Sequence, residues 1–247
     1  LEPVFVGGST VGLATLHNTG SASTGVRNMA DTASSVDCDS DAATPEVTYK
    51  NCLLERLFRV NSDDGGETPL RRGLDEVGRY FDATDGGAGH EFLAGEDSPI
   101  LSQDQGGNCQ QNFTIMVSDG AWNMDWPTTD SAGAVLTSHG DADSDNSSAW
   151  DGGSHADGPT DYNCGDGEPA LKTDTLADIA MRYYETDLSS ADNDVPTLAD
   201  VDENEAQHLV TFGVAFGVVG TRDGDPPNRT SPFDWPGVCA GDATTID

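Results

Sequence analysis

One acid, Asp119, stands where a run suited to a buried strand, FTIMV at 113–117, gives way to the polar residues SDG. The carboxyl ends of parallel strands are where α/β folds bind their ligands. Thr68 stands in a comparable place, just before Pro69 at the start of a helical pattern. A hydroxyl and a carboxylate, completed by water, suit a hard cation such as Mg²⁺ or Ca²⁺. In the alternative interpretation Thr68 only caps its helix and Asp119 only begins a turn.

A second group of acids occupies alternate positions of the stretch DADSDNSSAWD; its members are Asp141, Asp143 and Asp145. This spacing matches the first half of an EF-hand loop. Asn146 stands where that loop requires glycine, and Gly152 stands where it requires glutamate. The pattern therefore excludes a regular EF-hand, and it leaves open a looser Ca²⁺ site or a solvated acidic loop.

Three tryptophans are candidates for a binding surface: Trp122, Trp126 and Trp150. They lie in or beside residues 121–172, a long segment rich in Asp, Gly and Ser. Tryptophan is favoured at the energetic centres of interfaces, so these side chains are candidates to contact a glycan or a protein. The alternative is that they pack the segment onto the domain.

Motifs of catalysis are missing from the sequence. It contains no G-x-S-x-G, no Walker loop and no H-E-x-x-H, so we expect a protein that is not an enzyme. A secreted hydrolase that uses aspartate pairs is a weaker alternative, since no motif favours it. We expect His139 and His155, both within 121–172, to face solvent, with membership of a metal site as the alternative.

The charge of the chain excludes several classes of partner. Acids number 44 against 11 bases, which gives a net charge of −33. Such a surface repels nucleic acids and anionic membranes. It indicates a salty, halophilic habitat, bound divalent cations, or both. No apolar run reaches the roughly 18 residues of a membrane span, so we expect no membrane insertion.

The five cysteines show no zinc-site spacing. Scattered cysteines in an acidic, loop-rich chain favour disulfides formed in an oxidising compartment. Cys38 and Cys52 bracket a short polar stretch and are the first candidates for a pair. Free buried cysteines in a cytosolic protein are the alternative.

Hydrophobic patterns predict three strands, at 10–16, 113–117 and 208–220, and three helices, at 51–60, 68–82 and 173–188. The continuous apolar runs predict strands covered on both faces, as in parallel sheets. The order of elements predicts an α/β fold with a mainly parallel sheet flanked by helices. We expect one domain over 1–247, a fragment lacking its first strand, with residues 121–172 as a loop insertion.

Two of the helices carry apolar stripes that should face a core. The first stripe consists of Leu70, Leu74, Val77 and Phe81. The second consists of Leu176, Ile179, Ala180 and Tyr183.

Several blocks of the chain resemble the type IV pilus tip-associated adhesin family, the PilY family. The blocks are GGETPLRRGLDEVGRYF, CQQNFTIMVSDGAWN, TLADIAMRYYETDL, NDVPT and QHLVTFGVAFGVVGT, which span residues 66–221 in the family's order. The resemblance implies a von Willebrand factor A-like domain with a Rossmann-like sheet. It also implies a metal-ion-dependent adhesion site, in which Thr68 and Asp119 match the threonine and the aspartate. The D-x-S-x-S loop of that site is not found in residues 1–9, so we expect it before Leu1 or not at all.

The resemblance further implies an extracellular role at the pilus tip, after export through the periplasm. The expected partners are pilin subunits or minor pilins, together with a host or abiotic surface receptor. The expected cofactor is a divalent cation, Mg²⁺ or Ca²⁺. A structural component of pilus assembly that needs no metal is the alternative.

Overall fold

The computed structural model describes residues 10–13, 24–30, 48–59, 70–84, 97–118, 139, 176–199 and 201–215. Four strands lie in this part of the chain: β1 (Thr10–Leu13), β2 (Thr24–Asn28), β3 (Asn112–Ser118) and β4 (Leu209–Ala215). The three α-helices described there are α1 (Tyr49–Arg59), α2 (Leu70–Phe81) and α3 (Leu176–Glu185). Every predicted helix and strand is therefore confirmed in type over its described residues, with ends that differ by a few residues, while residues 14–16, 60, 68–69, 173–175 and 216–220 of the predicted elements lie outside them.

The strands form two pairs of opposite type. β3 and β4 are parallel over their full length, from Asn112 opposite Leu209 to Ser118 opposite Ala215, and α3 lies between them in sequence. β1 and β2 are antiparallel, with a register irregularity between Val11 and Leu13. The β3–α3–β4 unit agrees with the predicted α/β class. Among the described residues, however, parallel pairing is confined to this unit, and the sequence did not predict β2.

The main hydrophobic core lies between α2, α3 and the start of β4. Its most deeply buried members are Ile179, Leu188 and Leu209, each 0% exposed. Leu74 and Phe81 of α2 join them, and Val77, Leu176 and Ala180 pack at the periphery. Both predicted apolar stripes therefore face this core, as a helix with i, i+4 and i+7 spacing requires.

Two tyrosines tie strand β2 to the helices. The backbone N–H of Val26 donates a hydrogen bond to the hydroxyl of Tyr80 at 3.0 Å, and the hydroxyl of Tyr49 donates to the carbonyl of Gly25 at 2.6 Å. Tyr49 and Leu53 of α1 form a second, smaller core with Met29. These contacts explain how a five-residue strand with few apolar side chains is held.

Cysteine placement tests the pairing prediction in part. Cys52, on α1, is buried and disulfide-bonded, and its partner lies outside the described residues. The pairing with Cys38 therefore stays a prediction. Cys109 is exposed and has a free thiol.

The prediction that strands are covered on both faces is wrong for β3 and β4. Leu209 and Asn112 are buried on the face that meets the core, whereas Phe113, Ile115 and Val117 project from the other face and are exposed. The residues of β3 alternate between the two faces, as a strand with a single packed face requires. The apolar run contains this alternation, since Thr114 and Ser118 interrupt it.

Candidate binding site

The residues predicted to form a site lie outside the described residues. They are Thr68, Asp119, Asp141, Asp143, Asp145, Trp122, Trp126 and Trp150. Two of them adjoin described elements in sequence: β3 ends at Ser118, the residue before Asp119, and α2 begins at Leu70, two residues after Thr68. Their roles stay predictions. The structure supplies the surroundings that would position them.

A buried carboxylate on α2, Asp75, is the centre of a polar cluster within the core. The side chain of Asp75 is 0% exposed. Its Oδ1 accepts a hydrogen bond of 2.8 Å from the hydroxyl of Tyr183 on α3, and its Oδ2 lies 2.7 Å from Nη2 of Arg79. A buried charge requires such partners, because its loss of hydration is otherwise uncompensated.

His139 completes this cluster from the long acidic segment. Its Nε2 lies 2.6 Å from Oδ1 of Asp75, and its ring meets that of Tyr183 edge-on, with centroids 5.7 Å apart. The side chain of His139 is 9% exposed, so the prediction that it faces solvent is wrong. The local sequence does not indicate this contact, because the carboxylate partner lies 64 residues away.

Electrostatics keep the tyrosine of this cluster neutral. Burial, followed by the negative charge of Asp75 and the hydrogen bond to it, raises the pKa of Tyr183 well above its ordinary value. Arg79 acts in the opposite direction and is outweighed. Tyr183 is therefore a permanent donor to Asp75 across the neutral pH range.

A second polar cluster lies just before β4. His208 is buried, its Nδ1 lies 2.7 Å from the carbonyl oxygen of Ala206, and its Nε2 lies 3.1 Å from Oδ2 of Asp202. The hydroxyl of Tyr184 donates to Oδ1 of Asp202 at 3.0 Å. Burial, together with Asp202, raises the pKa of Tyr184 above its ordinary value. The cluster fixes the chain that leads into β4.

The amino ends of β3 and β4 are joined by hydrogen bonds between two irregular segments, 97–111 and 186–208. Asn108 donates to Oδ2 of Asp194 at 3.0 Å, and the N–H of Asp194 donates back to the carbonyl of Asn108 at 3.2 Å. Gln207 also donates to that carbonyl, at 3.1 Å. This network holds the parallel strands together at the end opposite to Ser118 and Ala215.

One face of the β3–β4 pair presents several exposed apolar side chains. Five side chains line it: Phe113, Ile115, Val117, Phe212 and Val214. In the register of the two strands Ile115 stands beside Phe212, and the rings of Phe113 and Phe212 are 6.2 Å apart. Burying one half-exposed side chain of this size against a partner would contribute about 1 kcal/mol to the free energy of binding, so the face is suited to a protein contact.

The described part of the chain contains no group of three or more His, Cys, Asp or Glu residues arranged to hold a metal ion. Within the same residues, no helix has both the length and the apolar character needed to cross a membrane. The predicted cation site stays a prediction, since Thr68, Asp119 and the acidic triplet lie outside the described residues.

The sequence indicates the exposed face of β3, but it does not indicate the burial of Asp75 or the contact between Asp75 and His139. The alternation in NFTIMVS, with apolar residues at 113, 115 and 117, is a signal for one exposed face. Asp75 follows Leu74 directly and lies off the apolar stripe, since successive helical residues are about 100° apart, so the stripe does not indicate its burial. Its contact with His139 has no local signal.

Together the described elements give an acidic protein of helices and a small parallel sheet, compatible with the α/β class, with a buried polar cluster and an exposed sheet face. No family model matches the chain, and no solved structure matches it. Among curated proteins it is similar to the type IV pilus biogenesis factor PilY1 of Pseudomonas aeruginosa strain UCBPP-PA14. The two are 31% identical over 176 residues, which is 64% of this chain and 13% of that protein.

The corresponding factor of strain PAK is 29% identical over 175 residues, again 64% of this chain and 13% of that protein. The two similarities support a PilY1-like relationship, as the motifs predicted. The chain spans about 13% of the length of these relatives. The von Willebrand factor A-like fold stays a prediction.

Proposed function

We propose that this chain is a binding module that acts in type IV pilus biogenesis and attachment, outside the cell at the pilus tip. The observation that carries the proposal is the similarity to two type IV pilus biogenesis factors over 64% of the chain. The role is binding rather than catalysis, with pilin or minor pilin subunits and a surface receptor as partners. The net charge of −33 favours partners or ions of positive charge.

The proposed mechanism uses a divalent cation at Thr68 and Asp119. In support, β3 ends directly before Asp119, and its parallel pairing with β4 brings the carboxyl ends of both strands to one edge. Ligands of α/β sheets bind at that edge. Two protein oxygens would leave coordination positions for water and for an acidic group of the partner. The cation would also offset repulsion among neighbouring carboxylates.

Calorimetric titration of Ca²⁺ and of Mg²⁺ into the chain, at constant ionic strength, tests this mechanism. We expect saturable binding that Asp119→Ala abolishes. Asp97→Ala is the matched control, because Asp97 is an exposed aspartate of the described surface and should leave binding unchanged. If Asp119→Ala binds as wild type does, the site at Thr68 and Asp119 is wrong.

The same titration separates the two acidic regions. A triple variant with Asn at positions 141, 143 and 145 should retain binding if Asp119 is the ligand. Loss of binding in the triple variant, with retention in Asp119→Ala, would move the cation to the acidic segment. Absence of saturable binding in the wild type would favour a role without metal.

A second candidate function, a metal-independent structural component of pilus assembly, is favoured by the apolar face of β3 and β4. Ile115 is 66% exposed and Phe113 and Phe212 are each 51% exposed, and apolar area of this kind is typical of protein contacts. The proposed occupant is an apolar surface of a pilin or minor pilin subunit.

Binding to purified pilin subunits in the presence of a chelator tests the second candidate. Ile115→Thr keeps a β-branched strand residue while removing apolar area, and it should weaken binding about tenfold. Thr114→Val, on the opposite face of the same strand, is the control. Binding that is lost on chelation and insensitive to Ile115→Thr would exclude the metal-independent role.

A further inference from the structure

Residues 195–205, which lie between α3 and β4, form a hairpin that the structure describes except at position 200. The backbone N–H of Val195 donates to the carbonyl of Glu205 at 3.0 Å. Leu198 and Asp202 exchange two backbone hydrogen bonds, of 2.6 and 2.8 Å. These bonds pair the two arms of the hairpin in one antiparallel register.

The tip of this hairpin is apolar. The N–H of Val201 donates to the carbonyl of Leu198 at 2.9 Å, an i to i+3 bond that is typical of a β-turn. Leu198 is 61% exposed and Val201 is 49% exposed. The commonest β-turns favour Asp, Asn or Ser at the first of these positions and Gly at the last. Because the turn itself does not require apolar side chains there, the pair favours a contact with another molecule.

Side chains at the base of the hairpin hold it in place. Asp202 accepts from the hydroxyl of Tyr184 at 3.0 Å and lies 3.1 Å from Nε2 of His208. Asn204 is 0% exposed, donates to the carbonyl of Tyr184 and accepts from the N–H of Ala206. A tip that is already ordered loses less conformational entropy when it binds a partner.

The sequence around the tip is strongly acidic. Residues 183–208 contain no Lys or Arg and eight acids, which are Glu185, Asp187, Asp192, Asp194, Asp200, Asp202, Glu203 and Glu205. A second copy of this chain carries the same charge and would be repelled, as would an anionic membrane. Charge complementarity therefore favours a partner of positive charge.

We propose that the tip of the 195–205 hairpin is a protein-binding site whose partner presents an apolar surface edged by lysine or arginine. Leu198 and Val201 supply the apolar contact, and the acids of the hairpin and its flanks supply the charge. The site uses neither the predicted cation ligands nor the exposed side chains of β3 and β4. It therefore goes beyond the proposed function and does not depend on it.

Nuclear magnetic resonance of the full chain, with labelled leucine and valine methyl groups, tests this site. The probe is a helical peptide of leucine and lysine that has one apolar stripe edged by lysines. At physiological ionic strength we expect it to shift the methyl signals of Leu198 and Val201. The signal of Leu101 is the reference and should not move, because this leucine is 46% exposed on a different segment. A peptide with glutamine in place of each lysine should bind more weakly.

Leu198→Ser should weaken binding of the lysine peptide about tenfold, since it removes the apolar contact of one leucine. Leu101→Ser is the matched control and should leave the affinity unchanged. Asp202→Ala keeps both tip residues but removes the hydrogen bonds at the base, so it should also lower the affinity. Asp202→Asn removes the same charge while retaining an acceptor and a donor, and it should bind as wild type does.

Four outcomes would overturn the proposal. Unshifted methyl signals of Leu198 and Val201 in the presence of the lysine peptide would exclude the tip. Equal weakening by Leu198→Ser and Leu101→Ser would show that the binding does not belong to the tip. Equal affinity for the two peptides would exclude a partner chosen by its charge. Shifts of the tip signals with phosphatidylcholine vesicles, and none with the peptide, would identify a lipid surface in place of a protein.

Discussion

The ring of Tyr183 lies directly against the backbone of Gly78, so close that a β-carbon on Gly78 would stand 2.2 Å from Cδ2 of the tyrosine. Gly78 is a buried residue in the middle of α2, and Tyr183 is a buried residue of α3. The glycine therefore sets how closely the two helices approach. It also leaves the room in which Tyr183 reaches Asp75.

Gly78→Ala should lower the free energy of unfolding by about 1–3 kcal/mol, the usual cost of overpacking a core. Alanine gains roughly 0.5–1 kcal/mol in helix propensity, and the steric conflict exceeds that gain. Tyr183 cannot move aside without loss of its 2.8 Å hydrogen bond to Asp75. Urea unfolding followed by circular dichroism measures the change.

The control for this substitution is Gly213→Ala. A β-carbon at Gly213 meets no atom within 4 Å, so this variant should stay within about 0.5 kcal/mol of wild type. If Gly78→Ala were as stable as Gly213→Ala, the close approach of α2 and α3 described here would be wrong.

The pH dependence of stability should report the buried tyrosine. The pKa of Tyr183 is raised above its ordinary value of 10.0 in the folded chain, chiefly by burial. Above pH 10 the unfolded chain loses this proton while the folded chain keeps it. Stability that is fully present below pH 10 should therefore fall by about 1.4 kcal/mol per pH unit above it.

Tyr183→Phe removes this titration, so the free energy of unfolding of the variant should depend less on pH above pH 10. The variant should also be less stable at neutral pH, because it loses the hydrogen bond to Asp75. Unfolding curves at several alkaline pH values, together with the ultraviolet absorbance of tyrosinate, make the measurement. An equal fall in the free energy of unfolding above pH 10 in wild type and in Tyr183→Phe would contradict the raised pKa of Tyr183.

Local periodicity predicted the elements of this fold, because it records which side of a helix or strand is packed. The stripe through Leu70, Leu74 and Phe81 predicted α2 and its buried side. Strand β2 was missed because its sequence, TGVRN, has one large apolar residue, Val26. Its stability comes from tertiary contacts, above all the bonds to the hydroxyls of Tyr80 and Tyr49.

The candidate site was less predictable for a related reason. Side-chain types suggested ligands at Thr68 and Asp119, but no local pattern indicates which distant groups meet. The contact between His139 and Asp75 joins residues 64 positions apart, and the contact between Asn112 and the carbonyl of His208 joins residues 96 apart. Charge gave the general character of the surface, and tertiary structure decided where donors and acceptors meet.

The cluster before β4 gives a last prediction, which depends on where its protons lie. Nδ1 of His208 faces the carbonyl of Ala206, and Nε2 faces the carboxylate of Asp202. Since both neighbours are acceptors, the contact with Asp202 requires a proton on Nε2 or on the carboxyl. Asp202→Asn supplies a donor from the amide, so Nε2 can accept while Nδ1 still donates to Ala206.

Asp202→Asn should therefore retain most of the wild-type stability, and its amide oxygen should still accept from Tyr184. Asp202→Ala leaves the hydroxyl of Tyr184 and the ring of His208 without this partner and should cost about 1–3 kcal/mol. Urea unfolding of the two variants gives the comparison, and imidazole nitrogen NMR reports which ring nitrogen of His208 carries the proton. Equal losses of stability in the two variants would show that the contact between Asp202 and His208 contributes nothing through hydrogen bonding.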